Sequence, residues 1–354
     1  MMKISRLLLL FVLFVLFLPS SSLSLSSLSL SSLSFQRVQT FSPTESMNII
    51  DTILFPINEY KQRTKIAHDA QFHILPYSKE DQYNNDITTS KVISASDPIL
   101  SFTYEEFPLH SMDQLLQIGI EEYNNYHNEK QNEQQQQQQH QHQQNEQQQQ
   151  QQQQRQQPKV LVDLGSGCGR LVLYAALCNN IDNNDNHNDN IHNHCRQYSS
   201  STFSFQHIHG IEISSDLHNV GVDALKKGVH EGFFKEMMNN NDDNDVDDID
   251  VDVSPSVQIH LGAAENLKHI LSQADIIFTY STALTAKGFD ENIGAMVLSD
   301  EWSKLLAENC NDGCVVITTD RILDVGYGWD MRRSLSVDNP KLFGSIGYVS
   351  ILRK

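Results

Sequence analysis

The segment Lys159–Cys178 constrains the fold of this chain more than any other. Lys159–Leu164 (KVLVDL) is a continuous apolar run with one acid near its end, Gly165–Gly169 (GSGCG) is a glycine-rich turn, and Arg170–Cys178 (RLVLYAALC) has helical character. A strand buried on both faces of a parallel sheet does not alternate apolar and polar residues. A strand, glycine turn and helix in this order open a βαβ unit. The segment therefore predicts an open α/β sheet with a ligand site at the carboxyl end of its first strand.

Helical and strand patterns alternate along the rest of the chain. We predict helices over 111–126, 170–178, 215–238 and 300–309, strands over 159–164, 206–213, 257–261, 275–280 and 313–319, and a final hairpin of 330–337 and 346–352. Because crossovers between parallel strands are right-handed, we expect the earlier strands to be added to the sheet on both sides of the first strand. The expected fold is α/β: a Rossmann-like, seven-stranded, mostly parallel sheet with a reversed last strand and helices on both faces.

Segments of biased composition divide the chain. We expect a leader over 1–41, an N-terminal helical and loop region over 42–130 that covers the ligand site, a glutamine-rich spacer over 131–157, and a core over 158–354 with Asn/Asp-rich inserts at 179–194 and 239–252. Segments with so few apolar residues cannot bury enough surface to fold, so the spacer and inserts are predicted to be disordered. Insertions between elements cost little, because closure entropy grows only slowly with loop length.

The first residues have the composition of a targeting sequence. Lys3 and Arg6 precede an apolar run, Leu7–Leu18, of signal-peptide length rather than membrane-spanning length. Ser20–Thr40 is rich in serine and leucine and has no acid, which is typical of a transit peptide. The pair resembles the bipartite plastid leaders of algae with secondary plastids, in which a phenylalanine such as Phe35 follows the cleavage site. A cleaved secretory signal with a linker, and a short uncleaved anchor, are the alternatives; we expect no transmembrane segment in the mature chain.

The net charge and the cysteine content restrict the kinds of partner and metal site that the chain can have. A net charge of −19 argues against direct nucleic-acid binding, which requires a basic face. The five cysteines are odd in number and lack the spacing of a disulfide framework. Cys310 and Cys314 have no second pair that would complete a zinc site, so no metal site is expected. The oligomeric state stays open.

The glycine spacing distinguishes between cofactors. A dinucleotide-binding turn has the pattern G-x-G-x-x-G, which would place a glycine at 170, where this chain has Arg170. That residue disfavours a nicotinamide-dependent oxidoreductase. The run VLVDLGSGCGRLVL instead resembles the first motif of class I S-adenosylmethionine-dependent methyltransferases. The resemblance implies S-adenosyl-L-methionine as cofactor, with contacts from Asp163, Gly165, Ser166, Gly167 and Gly169.

Three later segments resemble the same family in the same order. Gly210–Ile213 (GIEI) matches the acid after the second strand, which implies that Glu212 binds the ribose hydroxyls beside Ile213. The stretch after the third strand matches the one that holds adenine and implies contacts from Ala263, Ala264 and Glu265, although the family commonly has Gly-Asp there. Asp275–Leu284 stands in the place of the strand and loop that present the substrate.

An upstream segment resembles a narrower group. Phe102–Pro108 (FTYEEFP) and the helix that follows are similar to the loop and helix of the non-SET histone-lysine methyltransferases of the disruptor-of-telomeric-silencing type. In that family the loop folds over the cofactor, which implies contacts from Tyr104 and Glu106. Glu105 replaces the family's glycine, and Thr279–Thr282 replaces its Asn-rich motif.

These residues predict an S-adenosylmethionine-dependent methyltransferase that acts on a protein lysine. Positioning supplies most of the acceleration in methyl transfer, and a desolvated pocket favours the neutral, nucleophilic amine. Tyr280 is the candidate for lining the acceptor channel, with core packing as its alternative role, and Asp320, Tyr327 and Trp329 are further candidates. A small-molecule methyltransferase of an organelle and a catalytically silent cofactor-binding module remain alternatives, so the expected partner is a methyl-acceptor protein or small molecule.

Overall fold

The computed structural model describes residues 35–37, 41–66, 106–139, 158–179, 204–236, 256–340 and 342–354. Most of the predicted leader, most of the glutamine tract, Tyr104 and nearly all of both Asn/Asp-rich inserts lie outside these residues. No helix within the described ranges combines the length and apolarity needed to cross a lipid bilayer.

The described elements alternate largely as predicted. The strands are β1 (Phe35–Arg37), β2 (Val160–Leu164), β3 (His207–Glu212), β4 (Phe234–Glu236), β5 (Ser256–Leu261), β6 (Ile276–Thr279), β7 (Ala286–Asp290), β8 (Ala295–Leu298), β9 (Val315–Thr319), β10 (Arg321–Ile322), β11 (Trp329–Val337) and β12 (Ser345–Leu352). The helices are α1 (Pro43–Ile49), α2 (Leu109–Gln139), α3 (Arg170–Cys178), α4 (Ser215–His230), α5 (Lys268–Leu271) and α6 (Asp300–Asn309), and a π-helical turn, Ile50–Leu54, continues α1.

A nine-stranded sheet forms the centre of the molecule. Its strand order is β11-β12-β9-β6-β2-β3-β5-β1-β4. The pairs β2–β3, β2–β6, β3–β5 and β6–β9 are parallel, and β12 runs antiparallel to β9. The seven predicted strands are the contiguous part from β11 to β5, so the mostly parallel sheet with a reversed last strand is confirmed.

Two short strands extend the sheet beyond this prediction. β1 pairs antiparallel with both β5 and β4, and Phe35, which the composition assigns to the leader, is buried in the core. The helix predicted over 215–238 is wrong at its end, because α4 stops at His230 and β4 follows. Gly232 adopts a φ of 79°, which breaks the helix, and Phe234 then packs back against Gly228, where a Cβ would lie 2.6 Å from the Phe234 ring.

Helix α2 is longer than predicted at both ends. It begins at Leu109 and continues to Gln139, inside the tract for which composition predicts a spacer. Glutamine has good intrinsic helix propensity, so a helix that is anchored on the sheet can extend into such a tract.

A three-stranded sheet, in the order β10-β8-β7, was not predicted. β7 and β8 follow the end of β6 and pair antiparallel, while β10 follows β9 and pairs parallel with β8. The parallel strands β6 and β9 end at the same edge of the large sheet, so the small sheet lies at that carboxyl edge.

Helices cover both faces of the large sheet, as predicted. One apolar cluster joins α2, α3 and α4 to residues such as Ile208 and Phe278. A second joins α5 and α6 to residues such as Val162 and Ile277 on the opposite face. Helix α2 packs very closely on β12. A Cβ on Gly347 in β12 would overlap Cδ1 and Cδ2 of the buried Leu115 in α2.

We expect Gly347→Ala to destabilise the protein by about 1–3 kcal/mol through overpacking against Leu115. The measurement is urea unfolding, repeated in a Leu115→Ala background where the overlapping methyl groups are gone. In that background Gly347→Ala should lower the free energy of unfolding much less than it does in the natural chain. An equal cost in both backgrounds would contradict this packing.

Candidate active site

Three glycines shape the turn between β2 and α3. Gly165, Gly167 and Gly169 have φ values of 78°, 56° and 75°, a left-handed conformation that costs other residues roughly 1–2 kcal/mol each. The amides of Gly165 and Ser166 donate to the carbonyl of Ile211 at 2.9 and 3.0 Å, and the Gly169 amide donates to Ser166 O at 2.8 Å. The turn is therefore fixed against the end of β3.

The turn is tightly packed on one side and open on the other. A Cβ on Gly221 would lie 2.9 Å from the carbonyl oxygen of Cys168, and one on Gly210 would lie 2.8 Å from Ser166 Oγ. At Gly165 a Cβ would meet no atom of the described residues within 4 Å. Bare backbone at Gly165 therefore faces space that a ligand can enter, whereas α4 and β3 exclude ligands from the other side.

Glu212 connects the end of β3 to the glycine turn. Its Oε2 accepts a hydrogen bond from the Gly167 amide at 2.7 Å, and its Oε1 accepts one from the Ser214 amide at 2.7 Å. Burial raises the pKa of Glu212 to about 7, against the opposing effect of these backbone hydrogen bonds. The next residue, Ile213, is 48% exposed. The structure thus brings together the two predicted halves of the site, the turn and the acid on the neighbouring strand.

Asp163, the last acid before the turn, is buried and only partly satisfied. It is 2% exposed, and its Oδ2 has no hydrogen-bond partner in the described part of the chain. Burial, followed by the charge of Glu212, raises the pKa of Asp163 to about 8. The hydroxyl of Ser166 is likewise buried and unpartnered among the described residues. Asp163 and Ser166 beside the turn therefore each have a polar atom without a hydrogen-bond partner in the described ranges. The charges of Asp163 and Glu212 are disfavoured by burial.

The stretch after β5 adjoins Glu212. The Gly262 amide donates to the Glu212 carbonyl oxygen at 2.8 Å, and Ala263 precedes a 3-10 turn, Ala264–Asn266. Ala264 is buried, whereas Glu265 is exposed. Ala263 and Ala264 therefore lie close to the end of β3, and the side chain of Glu265 is accessible to solvent.

Glu106 belongs to an ion-pair network. Its Oε1 accepts a hydrogen bond from Arg63 Nε at 2.7 Å, and its Oε2 lies 3.7 Å from Arg170 Nε. Arg170 also pairs with Asp51. Glu106 therefore ties the N-terminal region to the first residue of α3, directly after the glycine turn. Its carboxylate contacts two arginines, a role that the predicted cofactor contact did not anticipate.

Tyr280 follows β6 and is held from two sides. Its ring lies 5.2 Å from the Phe107 ring, centroid to centroid. Its hydroxyl accepts a hydrogen bond at 3.2 Å from the Asn339 amide, which also donates to Ser345 Oγ at 2.9 Å. The partly buried tyrosine packs against the core, which was its alternative role, and lies at the carboxyl end of β6. Its place in an acceptor channel stays a prediction. Asn339 gives no local sequence signal, because its partner is far away along the chain.

The other acceptor-site candidates differ in environment. Asp320 follows β9 with a φ of 59°, unusual for a residue other than glycine. Its Oδ1 accepts a hydrogen bond from the Ile346 amide at 2.8 Å, and its buried Oδ2 has no partner in the described ranges. Trp329 is buried in the core, where its Nε1 donates to the Ser303 carbonyl at 2.9 Å. Tyr327 is half-buried beside the same apolar cluster.

Comparison with known proteins gives only distant structural similarities. No protein-family model and no curated protein matches the sequence. An RNA methyltransferase from Salinibacter ruber in complex with S-adenosyl-L-homocysteine is 18% identical, with 55% of this chain and 82% of that chain covered and a TM-score of 0.27. A magnesium protoporphyrin IX methyltransferase from Synechocystis with bound S-adenosylmethionine is 11% identical, with coverage of 55% and 70% and a TM-score of 0.29.

A further similar structure is an S-adenosylmethionine-dependent methyltransferase from Clostridium acetobutylicum. It is 9% identical, with 55% of this chain and 85% of that chain covered and a TM-score of 0.29. Nothing about these three enzymes points to the disruptor-of-telomeric-silencing type. Because their TM-scores and identities are low, the likeness to these enzymes does not assign a cofactor or a reaction to this chain.

We expect Asp163→Asn to raise the melting temperature of the ligand-free protein. The pKa of Asp163 is higher in the folded than in the unfolded chain, so the folded state loses stability as the pH rises from about 4 to about 8. The Asp163→Asn variant has no carboxylate to ionise at this position, so it does not lose this stability as the pH rises. Calorimetric melting at pH 5 and pH 8 should show a gain that is larger at pH 8.

Asp275→Asn is the matched control. Asp275 Oδ2 accepts hydrogen bonds from the Lys159 and Val160 amides at 2.7 and 3.0 Å, and its Oδ1 accepts one from the Tyr123 hydroxyl at 3.1 Å. An amide cannot accept at both positions, so this variant should melt at a lower temperature. A lower melting temperature for both variants would show that the Asp163 carboxylate stabilises the fold.

Proposed function

We propose that this chain is an S-adenosylmethionine-dependent methyltransferase. The observation that carries the proposal is the left-handed glycine turn, which is open at Gly165 and flanked by the buried carboxyls of Asp163 and Glu212. Open α/β sheets bind ligands at the carboxyl ends of their strands, where the strand order reverses. β2 lies at that point, since β3 and β6 flank it on either side.

The residues present fit this cofactor. The unpartnered Asp163 Oδ2 and Ser166 Oγ are suited to the ammonium of its amino-acid end. The Glu212 carboxylate accepts the Gly167 and Ser214 amides, and the Ile213 amide also acts on it, so of its four lone-pair sites at least one is left to accept a ribose hydroxyl. The exposed side chain of Ile213 offers apolar surface to the base, and Ala263 and Ala264 would line its other side without filling the space.

The reaction needs positioning more than acid-base chemistry. When bound, the cofactor supplies a methyl group that its sulfonium has already activated. The chain would fix the nucleophile in line with that group and exclude water. Tyr280 lies at the carboxyl end of β6, next in the sheet to β2, and its contacts with Phe107 and Asn339 hold it in place. We propose that it lines the acceptor channel.

The identity of the acceptor is the finer part of the proposal. A protein lysine is supported by the resemblance of Phe102–Pro108, of which only Glu106, Phe107 and Pro108 lie within the described residues. The pairing of Glu106 with Arg63 and Arg170 does not add to that support. A small-molecule acceptor is the second candidate and is favoured by the apolar carboxyl edge described below. A catalytically silent binding module would share the cofactor site and differ only in lacking turnover.

We expect Gly165→Ala to weaken S-adenosylhomocysteine binding by roughly tenfold or more, because the new Cβ enters the ligand space. Gly232→Ala is the matched control, since both glycines have nearly the same φ, 78° and 79°, and within the described ranges neither Cβ would meet an atom within 4 Å. Both variants should lose about 1 kcal/mol of stability from backbone strain. Calorimetric titration with S-adenosylhomocysteine should show weaker binding for Gly165→Ala than for Gly232→Ala. Equal affinities would show that the cofactor does not bind at this turn.

Cofactor affinity should rise with pH. Asp163 and Glu212 have pKa values raised to about 8 and about 7, so both are largely protonated at pH 6. The ammonium of the ligand binds better to the ionised Asp163, so the ligand must displace a proton from this acid at low pH. We expect S-adenosylhomocysteine to bind roughly tenfold more tightly at pH 8 than at pH 6. Titrations in the Asp163→Asn variant should show a much weaker pH dependence, and an unchanged dependence would exclude Asp163 as its source.

A further inference from the structure

The exposed apolar side chains concentrate at one edge of the molecule. Nine large apolar residues within the described ranges are exposed. Five of them belong to the two hairpins at the carboxyl edge of the sheet, β7–β8 and β11–β12: Phe289, Ile293, Leu342, Phe343 and Ile346. Ile213 lies at the same edge but beside Glu212, in the proposed cofactor site, and Ile57, Val325 and Met331 lie elsewhere. A soluble chain exposes single apolar residues widely, but a concentration of them marks a binding surface.

Sheet topology places these residues at the same edge as the glycine turn. Ile213 directly follows β3, and the β7–β8 hairpin with Phe289 follows β6. β12 runs antiparallel to β9 with Gly347 opposite Thr319, so the turn before β12 also lies at that edge. Asn339, in the turn before β12, donates a hydrogen bond to the Tyr280 hydroxyl.

Phe343 is the most exposed of the five. Its φ is 59° and its relative exposure 103%. The Leu342 and Gly344 amides donate to the Asn339 carbonyl at 3.0 and 2.9 Å, which fixes this conformation. A left-handed phenylalanine is strained, and nothing in the described fold packs on its ring to offset that strain. Such strain persists where function requires the geometry.

The charges near this surface are mainly acidic. Glu291 and Asp338 are exposed beside the two hairpin turns. The nearby Lys287 is paired with Asp300 and Asp324 at 2.9 and 2.8 Å, so it adds little positive charge. Arg321, directly after Asp320, is a further cation at this edge, and the charge of Asp320 acts on it. Because the acids still outnumber the cations among the described residues here, a neutral or cationic ligand is favoured over an anionic one.

Asp320 supplies an independent observation. It lies between β9 and β10 at this edge, and its Oδ2 is buried without a partner in the described part of the chain. Its other oxygen is held by the Ile346 amide at 2.8 Å. A buried carboxylate oxygen without a donor is costly, and an ammonium or amine N–H is the partner that compensates it best.

We propose that the methyl acceptor is an apolar aromatic small molecule that carries an amine. This inference rests on the proposed function and specifies its substrate class. The apolar residues at the edge would contact the ring system, and Asp320 would orient the amine. A basic, polar lysine segment of a protein would leave these apolar side chains uncovered, so it fits the surface less well. Small-molecule sites commonly combine an apolar lining with few polar groups.

The transfer is balanced without a further reactant. The acceptor ammonium first loses one proton to water, directly or through the Asp320 carboxylate. The amine lone pair then forms a bond to the methyl carbon as the carbon–sulfur bond breaks. The products are a methylated ammonium and the uncharged thioether S-adenosylhomocysteine, so one positive charge moves from sulfur to nitrogen.

Binding of paired probes tests the surface. Purified protein is first titrated with S-adenosylhomocysteine, and the saturated complex is then titrated with 2-naphthylmethylamine or with 2-naphthalenesulfonate, which share a ring system and differ in charge. We expect the amine to bind about tenfold more tightly or better. Equal binding, or tighter binding of the sulfonate, would overturn the inference. If the first titration fails, the proposed function fails with it; if only the second fails, the acceptor class alone is wrong.

Matched variants locate the probe. Phe343→Ser and Phe289→Ser should each weaken amine binding severalfold, whereas Ile57→Ser and Met331→Ser, which remove exposed apolar groups elsewhere, should not. Asp320→Asn should remove the preference for the amine. All five proteins should keep their affinity for S-adenosylhomocysteine. Equal losses in the control and edge variants would refute the surface.

Labelled transfer then tests the acceptor class. Protein incubated with methyl-labelled S-adenosylmethionine and cell extract should place the label in amines that partition into organic solvent at alkaline pH. Phe343→Ser should reduce that label severalfold. Label in protein lysine, in aqueous metabolites, or in no acceptor would each overturn the inference.

Discussion

The hydrogen bond from the Gly167 amide to the Glu212 carboxylate connects the parts of this site. It joins a turn that only glycines can form at low cost to the end of the neighbouring parallel strand, over 2.7 Å. The second carboxylate oxygen holds the Ser214 amide, so the same side chain also fixes the start of α4. α4 in turn approaches the turn at Gly221, where no side chain fits. The open backbone at Gly165 therefore has a fixed position relative to the acid beside it.

The acids at this position cost the fold stability unless a ligand compensates them. Asp163 and Glu212 are both buried, and their raised pKa values show that neither charge is fully compensated. A fold selected only for stability would not keep two such groups side by side, since each burial disfavours the charged form. A ligand that brings hydroxyl groups and an ammonium would compensate both. This conflict between stability and charge is the physical reason to assign binding to this edge of the sheet.

The local parts of the fold could be predicted from sequence, and the long-range contacts could not. The turn, α3 and the seven-stranded, mostly parallel sheet follow from apolar runs, glycine spacing and the handedness of crossovers, all of which are local or general. The strand at Phe35 and the small sheet could not be predicted, because short strands acquire their identity from partners elsewhere in the chain. The pairing of Glu106 with Arg63 and the contact of Asn339 with Tyr280 are of the same kind. Asp163 and Glu212 were identified by resemblance, but their burial and charge states required the structure.

Hydrogen–deuterium exchange with and without S-adenosylhomocysteine tests the central claim most directly. If the cofactor lies against the glycine turn, the amides of 165–169, 212–214 and 262–265 should exchange more slowly when the ligand is present, and the turn at Gly232 should not change. Slowing confined to other segments, or no slowing at saturating ligand, would show that this turn does not hold the cofactor.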